Sequence, residues 1–363
     1  MKNNLIRFVY IISVCFCLGT TKLNAQDNSL ILPGETHFKS LKQLTFGGDN
    51  AEAYFNRDGD LLIFQRTDHK DYLCDQIFSG AVSTDPTDTF FYNLLSTGKG
   101  RTTCSYFVND STIIYASTHL TADSCPPVPN RELIKKYVWP IYGSFELFLA
   151  DYQGNQLKQL TNNEYYDAEA TVSPDGKTIL FTSNRDGDLD LYTMDIEGKQ
   201  IRRITKDLGY DGGAFFSPDG SKIVWRASRP KTESEIKEYK DLLAQDLVAP
   251  TNMHLFIANA DGSDMKQITN LPRASWAPFF HPSGKKIIFA SNYEHERGFP
   301  FNLYLINTDG TGLEKITNGD TFDAFPMFSS DGMLFVFCSN RNNGGTRDTN
   351  IFIAEWSDQP IKK

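Results

Sequence analysis

Ser173-Pro174-Asp175-Gly176-Lys177-Thr178-Ile179-Leu180-Phe181-Thr182-Ser183-Asn184-Arg185 is the stretch on which the fold turns. Proline presets φ for a tight turn, aspartate bonds its own backbone, and glycine accepts positive φ. A short apolar run follows at once. The same turn returns as Arg57-Asp58-Gly59, Ser217-Pro218-Asp219-Gly220, His281-Pro282-Ser283-Gly284 and Ser330-Asp331-Gly332, with Asn109-Asp110-Ser111 as a degenerate copy. Each turn lies between two short strands, such as Ala214-Phe215-Phe216 and Lys222-Ile223-Val224-Trp225. A third strand recurs, for example Asp190-Leu191-Tyr192 and Asn302-Leu303-Tyr304. A fourth recurs as Leu157-Lys158-Gln159-Leu160-Thr161 and its equivalents. Alternating apolar and polar positions mark half-buried strands.

Six copies of a four-stranded unit predict an all-β, six-bladed β-propeller, because radial repetition leaves only short, protected edges. The first strand in the chain, Leu41–Thr45, is of the fourth type, and the chain ends just after a third-type strand near Ile351. The N-terminal strand is therefore expected to complete the last blade. The reading assigns 26–40 to a lead-in, 41–357 to the propeller and 358–363 to a tail.

Spacing locates the variable connections. From third strand to next turn the distance is constant: Glu146 to Asp175, Asp190 to Asp219, His254 to Ser283 and Asn302 to Asp331 are each 29 residues apart. From turn to third strand it ranges from 15 (Asp175 to Asp190) to 36 (Asp110 to Glu146). The long insertions, 118–144 and 229–253, both fall between second and third strands. Strands alternate in direction, so both insertions are expected on one face, where function concentrates on a rigid scaffold. In 229–253, Thr232-Glu233-Ser234-Glu235 is a capping-box pattern. Ile236, Tyr239, Leu243 and Leu247 follow at helical spacing, which predicts an amphipathic helix packed over its own blade or acting as a lid.

The repeat Ser173-Pro174-Asp175-Gly176, then Ile179 to Arg185, then Asp190-Leu191-Tyr192 resembles the TolB-type (PD40) propeller repeat, over essentially Leu41 to Glu355. TolB itself has an α/β domain before its propeller, for which 26–40 is too short. The resemblance implies the fold and leaves the activity open, since this repeat also occurs beside peptidase domains and in lyases acting on pectin fragments.

Lys2 and Arg7, the apolar run Phe8 to Leu18 and then Leu23-Asn24-Ala25 read as a secretory signal peptide, residues 1–25, cleaved after Ala25. The expected location is periplasmic or secreted, with no integral membrane segment. Loss of Lys2, Arg7 and Lys22 takes the net charge from −9 to −12. That excludes a basic footprint for nucleic acid. Of the four remaining cysteines, Cys104 and Cys338 fall in strands and read as buried small hydrophobes. Cys74 and Cys125 fall in neighbouring loops of an oxidising compartment, where a disulfide is possible if the geometry permits.

Candidate ligand-binding residues cluster on the insertion face. His119, Arg185, Arg229 and Arg341 occupy one position at the end of second strands, with Asn292 and Asn340 one position earlier. Arginines there either receive an acidic group bidentately or bond their own loops. Trp139 lies in a Pro-fixed aromatic insertion suited to a binding rim. Glu52 and Glu169 sit on innermost strands, placed to line the channel, where packing or channel water is the favoured explanation over a ligand role. No Gly-x-Ser-x-Gly elbow, His-Glu-x-x-His or Walker pattern is present, and His69, His119, His254 and His295 lack metal-ligand spacing. No metal or cofactor is expected. The leading expectation is a non-catalytic scaffold for a protein, peptide or glycan ligand. The alternative is a lyase or hydrolase acting on an acidic glycan or peptide, with His119, Arg185 and Arg229 as catalytic candidates.

Overall fold

The computed structural model describes residues 30–361 apart from 86 and 297, so the signal-peptide reading of 1–25 lies outside the described residues. Six four-stranded antiparallel sheets follow one another along the chain. Blade 3 shows the pattern: Asp167–Val172 innermost, then Thr178–Ser183, Asp190–Asp195 and Arg202–Arg203. Blade 6 takes Asp323–Phe328, Leu334–Ser339 and Asn350–Trp356 from the end of the chain and its outer strand, Phe38–Gln43, from the beginning. Leu41 pairs with Ala354 and Gln43 with Phe352, so the ring is closed by backbone pairing between the two ends. The closing strand begins three residues earlier than the sequence suggests.

Two local devices account for the repeat's spelling. In the turns that open on Ser173, Ser217 and Ser329 the serine hydroxyl is the hub: Ser173 Oγ donates to Asp175 at 2.7 Å and accepts from the Thr178 amide at 3.0 Å. Gly176 takes φ +72°. The closing threonine of each fourth strand has an equally fixed task. Thr161, Thr205, Thr269, Thr317 and Thr45 each accept, through the side-chain hydroxyl, the second or third amide of a third strand at 2.8–2.9 Å. Ser96 does the same in blade 1. Second strands such as Ile179-Leu180-Phe181 are buried on both faces, because neighbouring blades cover each sheet from either side.

The two long insertions meet. Trp139–Pro140 of the first pairs with Leu247–Val248 of the second in a two-stranded ribbon, and Val138, Leu242 and Leu247 bury a small core beneath it. Helix Glu233–Leu243 has the expected capping box at Thr232 and Glu235. Its buried residues are Tyr239 and Leu242, and Leu247 belongs to the ribbon beyond it. The helix reaches past its own blade, since the Tyr239 hydroxyl donates to Asp188 of blade 3. Cys74 and Cys125 are disulfide-bonded, with Cα atoms 5.8 Å apart, which ties the blade 1 loop to the first insertion.

Candidate functional site

Every innermost strand carries a bulge at the same position. The register slips between Ala51 and Tyr54, Thr103 and Tyr106, Ala168 and Thr171, Gly212 and Phe215, Trp276 and Phe279, and Ala324 and Met327. Within each slip one residue has left-handed backbone: Glu52 (φ 52°), Cys104 (51°), Glu169 (57°), Gly213 (59°), Ala277 (46°) and Phe325 (53°). The extra residue of a bulge bends the strand and re-aims a side chain. Only one of the six is glycine, and the others each bear about 1 kcal/mol of left-handed strain. All six line one cavity.

Two residues further along each strand the channel closes. Tyr54 of blade 1 meets Phe215 of blade 4, directly across the axis, edge to face at 5.5 Å. Tyr106 packs on both, and Phe279 packs on Phe215. This aromatic layer is a floor. Above it lies a cup of about 950 Å³. Its upper wall comes from loops of the insertion face: Tyr137, Trp139 and Tyr142 of the first insertion, Phe299 of blade 5, and Arg347 and Thr349 of blade 6. Trp139 contacts Trp276 at 5.2 Å between ring centroids.

The cup's charges are arranged unequally. Glu169 receives Arg226 Nη2 at 2.6 Å, Thr182 Oγ1 at 2.9 Å, the Gly213 amide at 2.7 Å and the Tyr210 hydroxyl. The Arg226 guanidinium lies against the rings of Trp139 and Tyr210 at 5.3 and 5.1 Å. Burial opposes its charge, but Glu169 and its neighbours outweigh that and hold its pKa above the usual arginine value. Glycine is required twice here. A Cβ on Gly213 would fall 1.7 Å from Arg226 Nη1, and one on Gly212 would fall 2.2 Å from Glu169 Oε2. Glu52 is different. Burial pushes its carboxyl up to about 7, against the hydrogen bond from the Cys104 thiol that favours ionisation. Burial likewise holds the Cys104 thiol well above its ordinary value.

Of the residues singled out from the sequence, Trp139, Glu52, Glu169 and Asn340 line the cup. Asn292 lines an adjoining recess of about 250 Å³. Both asparagines also brace backbone: the amides of Ala274 and Phe322 donate to Asn292 and Asn340 at 3.1 and 2.8 Å. The polar column forms no ring at the cup. Arg185 donates to Asp167 at 2.8 Å, Arg229 to Asp211 at 2.7 Å and Arg341 to Asp323 at 2.8 Å. Each guanidinium lies over an aromatic ring of its own blade, Phe181, Phe256 or Phe337. Arg341 also takes Glu35 of the lead-in. His119 is held between Ser117 and Gln156, both at 2.9 Å, against Phe148. Cys104 is corrected too: it is half-buried and lines the cup instead of filling a core.

Sequence reasoning missed Arg226, Tyr210 and Cys104 as site residues. One signal was available: Gly212-Gly213 opens an innermost strand, where paired glycines mark close approach. Among the described residues, no three or more His, Cys, Asp or Glu side chains gather as a metal-holding group.

The family model described as the TolB beta propeller domain (PD40) matches residues 137–240. The chain is a six-bladed β-propeller similar to the TolB type. Solved structures agree with that fold. A protein assigned as TolB from Agrobacterium tumefaciens superposes with a TM-score of 0.53 at 19% identity, covering 85% of this chain and 91% of that one. An oligogalacturonate lyase in complex with manganese superposes with a TM-score of 0.50 at 14% identity, covering 87% of this chain and 80% of the lyase. At these identities the likeness is one of fold. No curated protein matches the sequence.

Proposed function

We propose that this propeller is an exported, non-catalytic binding scaffold that holds its ligand in the cup on the insertion face. The observation that carries the reading is the pairing of an aromatic floor with an aromatic rim. Tyr54, Phe215 and their neighbours shut the channel midway, so the space above is a recess and not a conduit. Trp139, Tyr142, Trp276 and Phe299 supply apolar faces around a few fixed polar groups, the composition of a ligand site. Export rests on the N-terminal signal pattern. It is consistent with the absence, among the described residues, of any helix long and apolar enough to cross a membrane.

The ligand class is a peptide or protein segment or a glycan, all of which stack on such rings. The test is retention from native extract by the immobilised protein, with bound material identified by mass spectrometry. Trp139→Ala, with folding verified, is expected to lower retention of the specific ligand about tenfold or more, the cost of losing one aromatic anchor. Equal retention by the variant would remove the cup from the account.

The enzyme reading keeps one observation, the Glu52 carboxyl held near 7, where a proton donor is effective. Its three earlier candidates, His119, Arg185 and Arg229, are engaged in blade contacts outside the cup. Turnover of an acidic glycan or peptide that is lost in Glu52→Gln would favour it over the scaffold.

A further inference from the structure

The two glutamates of the bulge ring are in opposite situations. Glu169 has its charge matched inside the protein by Arg226, which also bonds Tyr210 at 2.6 Å. Arg101 is likewise committed, to Asp75 at 3.1 Å. Glu52 has no ion pair and no hydrogen bond from an N–H or O–H group among the described residues; its neighbour is the Cys104 thiol. The titratable groups acting on it are Cys104 from blade 2, Glu169 from blade 3, Arg226 from blade 4 and Asp75 from the loop of its own blade. Three of these four are acids or a thiol, and the one cation is already spent on Glu169. At the rim, Asp49 pairs with His69 at 3.4 Å, and Arg347 is exposed to solvent.

The wall beside Glu52 is apolar and aromatic. Phe325 and Ala277 hold the next two places in the ring, and Trp276, Phe299 and Phe322 rise beside them. Phe299 packs edge-on against Phe322 at 4.9 Å, and Trp276 stacks on Phe301 at 4.3 Å. Ring faces carry negative potential and attract organic cations, and a half-buried carboxylate with no ion pair gains more from a cation than from any neutral group. An anionic ligand would have to compete with Glu169 for Arg226, and a further cation of the cup wall, Arg347, stands exposed at the rim.

We propose that the cup selects an organic cation, an ammonium or guanidinium joined to an apolar group. The charge sits at Glu52 and the apolar part lies against Trp276, Phe299 and Phe322. This deepens the scaffold reading and rests on it. Occupation by the cation ionises Glu52 and expels its proton, so apparent affinity rises with pH through the neutral range and levels off above it.

The test uses calorimetric titration of the full protein with benzylammonium, benzyl alcohol and benzoate, which share one ring and differ in charge. At about pH 8, benzylammonium is expected to bind on the order of tenfold tighter than benzyl alcohol, with benzoate weakest. The preference shrinks below about pH 6, where Glu52 holds its proton. Glu52→Gln, folded by its melting curve, abolishes the preference and leaves benzyl alcohol unaffected; Glu52→Asp retains it. Equal affinities for ammonium and alcohol, or a preference that survives Glu52→Gln, would overturn the cation assignment. In that case, loss of all three probes in Trp139→Ala still upholds the cup as the site. Absence of binding by every probe counts against both.

Discussion

Three arginines illustrate how one residue's neighbours decide its meaning. Asp167 and Arg185, Asp211 and Arg229, and Asp323 and Arg341 each stand 18 positions apart, and each pair is an ion pair with a fully buried carboxylate. A guanidinium so placed satisfies a charge that folding has already buried, and removal of either partner would strand the other. Glu52 lacks such a partner, and its pH dependence follows. Its carboxyl is held at about 7 against an ordinary 4.5, so the folded state keeps the proton more tightly than the unfolded chain. Its contribution to stability is therefore greatest at low pH and declines as pH rises from 4.5 through about 7. Glutamine cannot ionise. Glu52→Gln is expected to match the native protein's melting temperature near pH 5 and to exceed it by about 2 °C or more near pH 8. A difference that is the same at both pH values would contradict the burial of this group.

At the scale of elements, the turns and strands were legible because their chemistry is local. A Ser-Pro-Asp-Gly turn and a closing threonine each satisfy backbone groups within their own blade, so spacing alone locates them. The bulges were not legible. Glu52, Cys104, Ala277 and Phe325 look like ordinary strand residues, and nothing but the Gly212-Gly213 pair announces a left-handed turn of the backbone. The helix was found, but its reach to Asp188 depends on where blade 3 sits, which no helical period contains. The Cys74–Cys125 bridge spans 51 residues and fastens the insertion that delivers Trp139. Loop-closure entropy over that span predicts a loss of about 4 kcal/mol of stability in Cys125→Ser. Denaturant unfolding with and without reductant measures it, and amide exchange should accelerate in 118–130 while the blade cores stay protected. Identical unfolding curves in both conditions would remove the bridge from the account.

For the whole molecule, six sheets form a closed ring because the strand Phe38–Gln43 pairs with the last sheet, and the lead-in reinforces the seam through Glu35 on Arg341 and His37 stacked on Trp356. That closure was read from strand order, since a fourth-type strand leads and a third-type strand ends the chain. Of the cup's lining, Trp139, Glu52 and Glu169 were named from the sequence, whereas the arginine column was assigned outward when each member turns into its blade. The reason is physical. A propeller's rim positions follow from connectivity, but which side chains face the axis is set by the bulge and the floor, features of packing across blades. The most direct test is a crystal structure of the protein purified from its native source. The account predicts ligand density within the cup, above Tyr54 and Phe215 and against Trp139 and Trp276. Density seated instead on the face of the Ser-Pro-Asp-Gly turns, with the cup holding water alone, would contradict it.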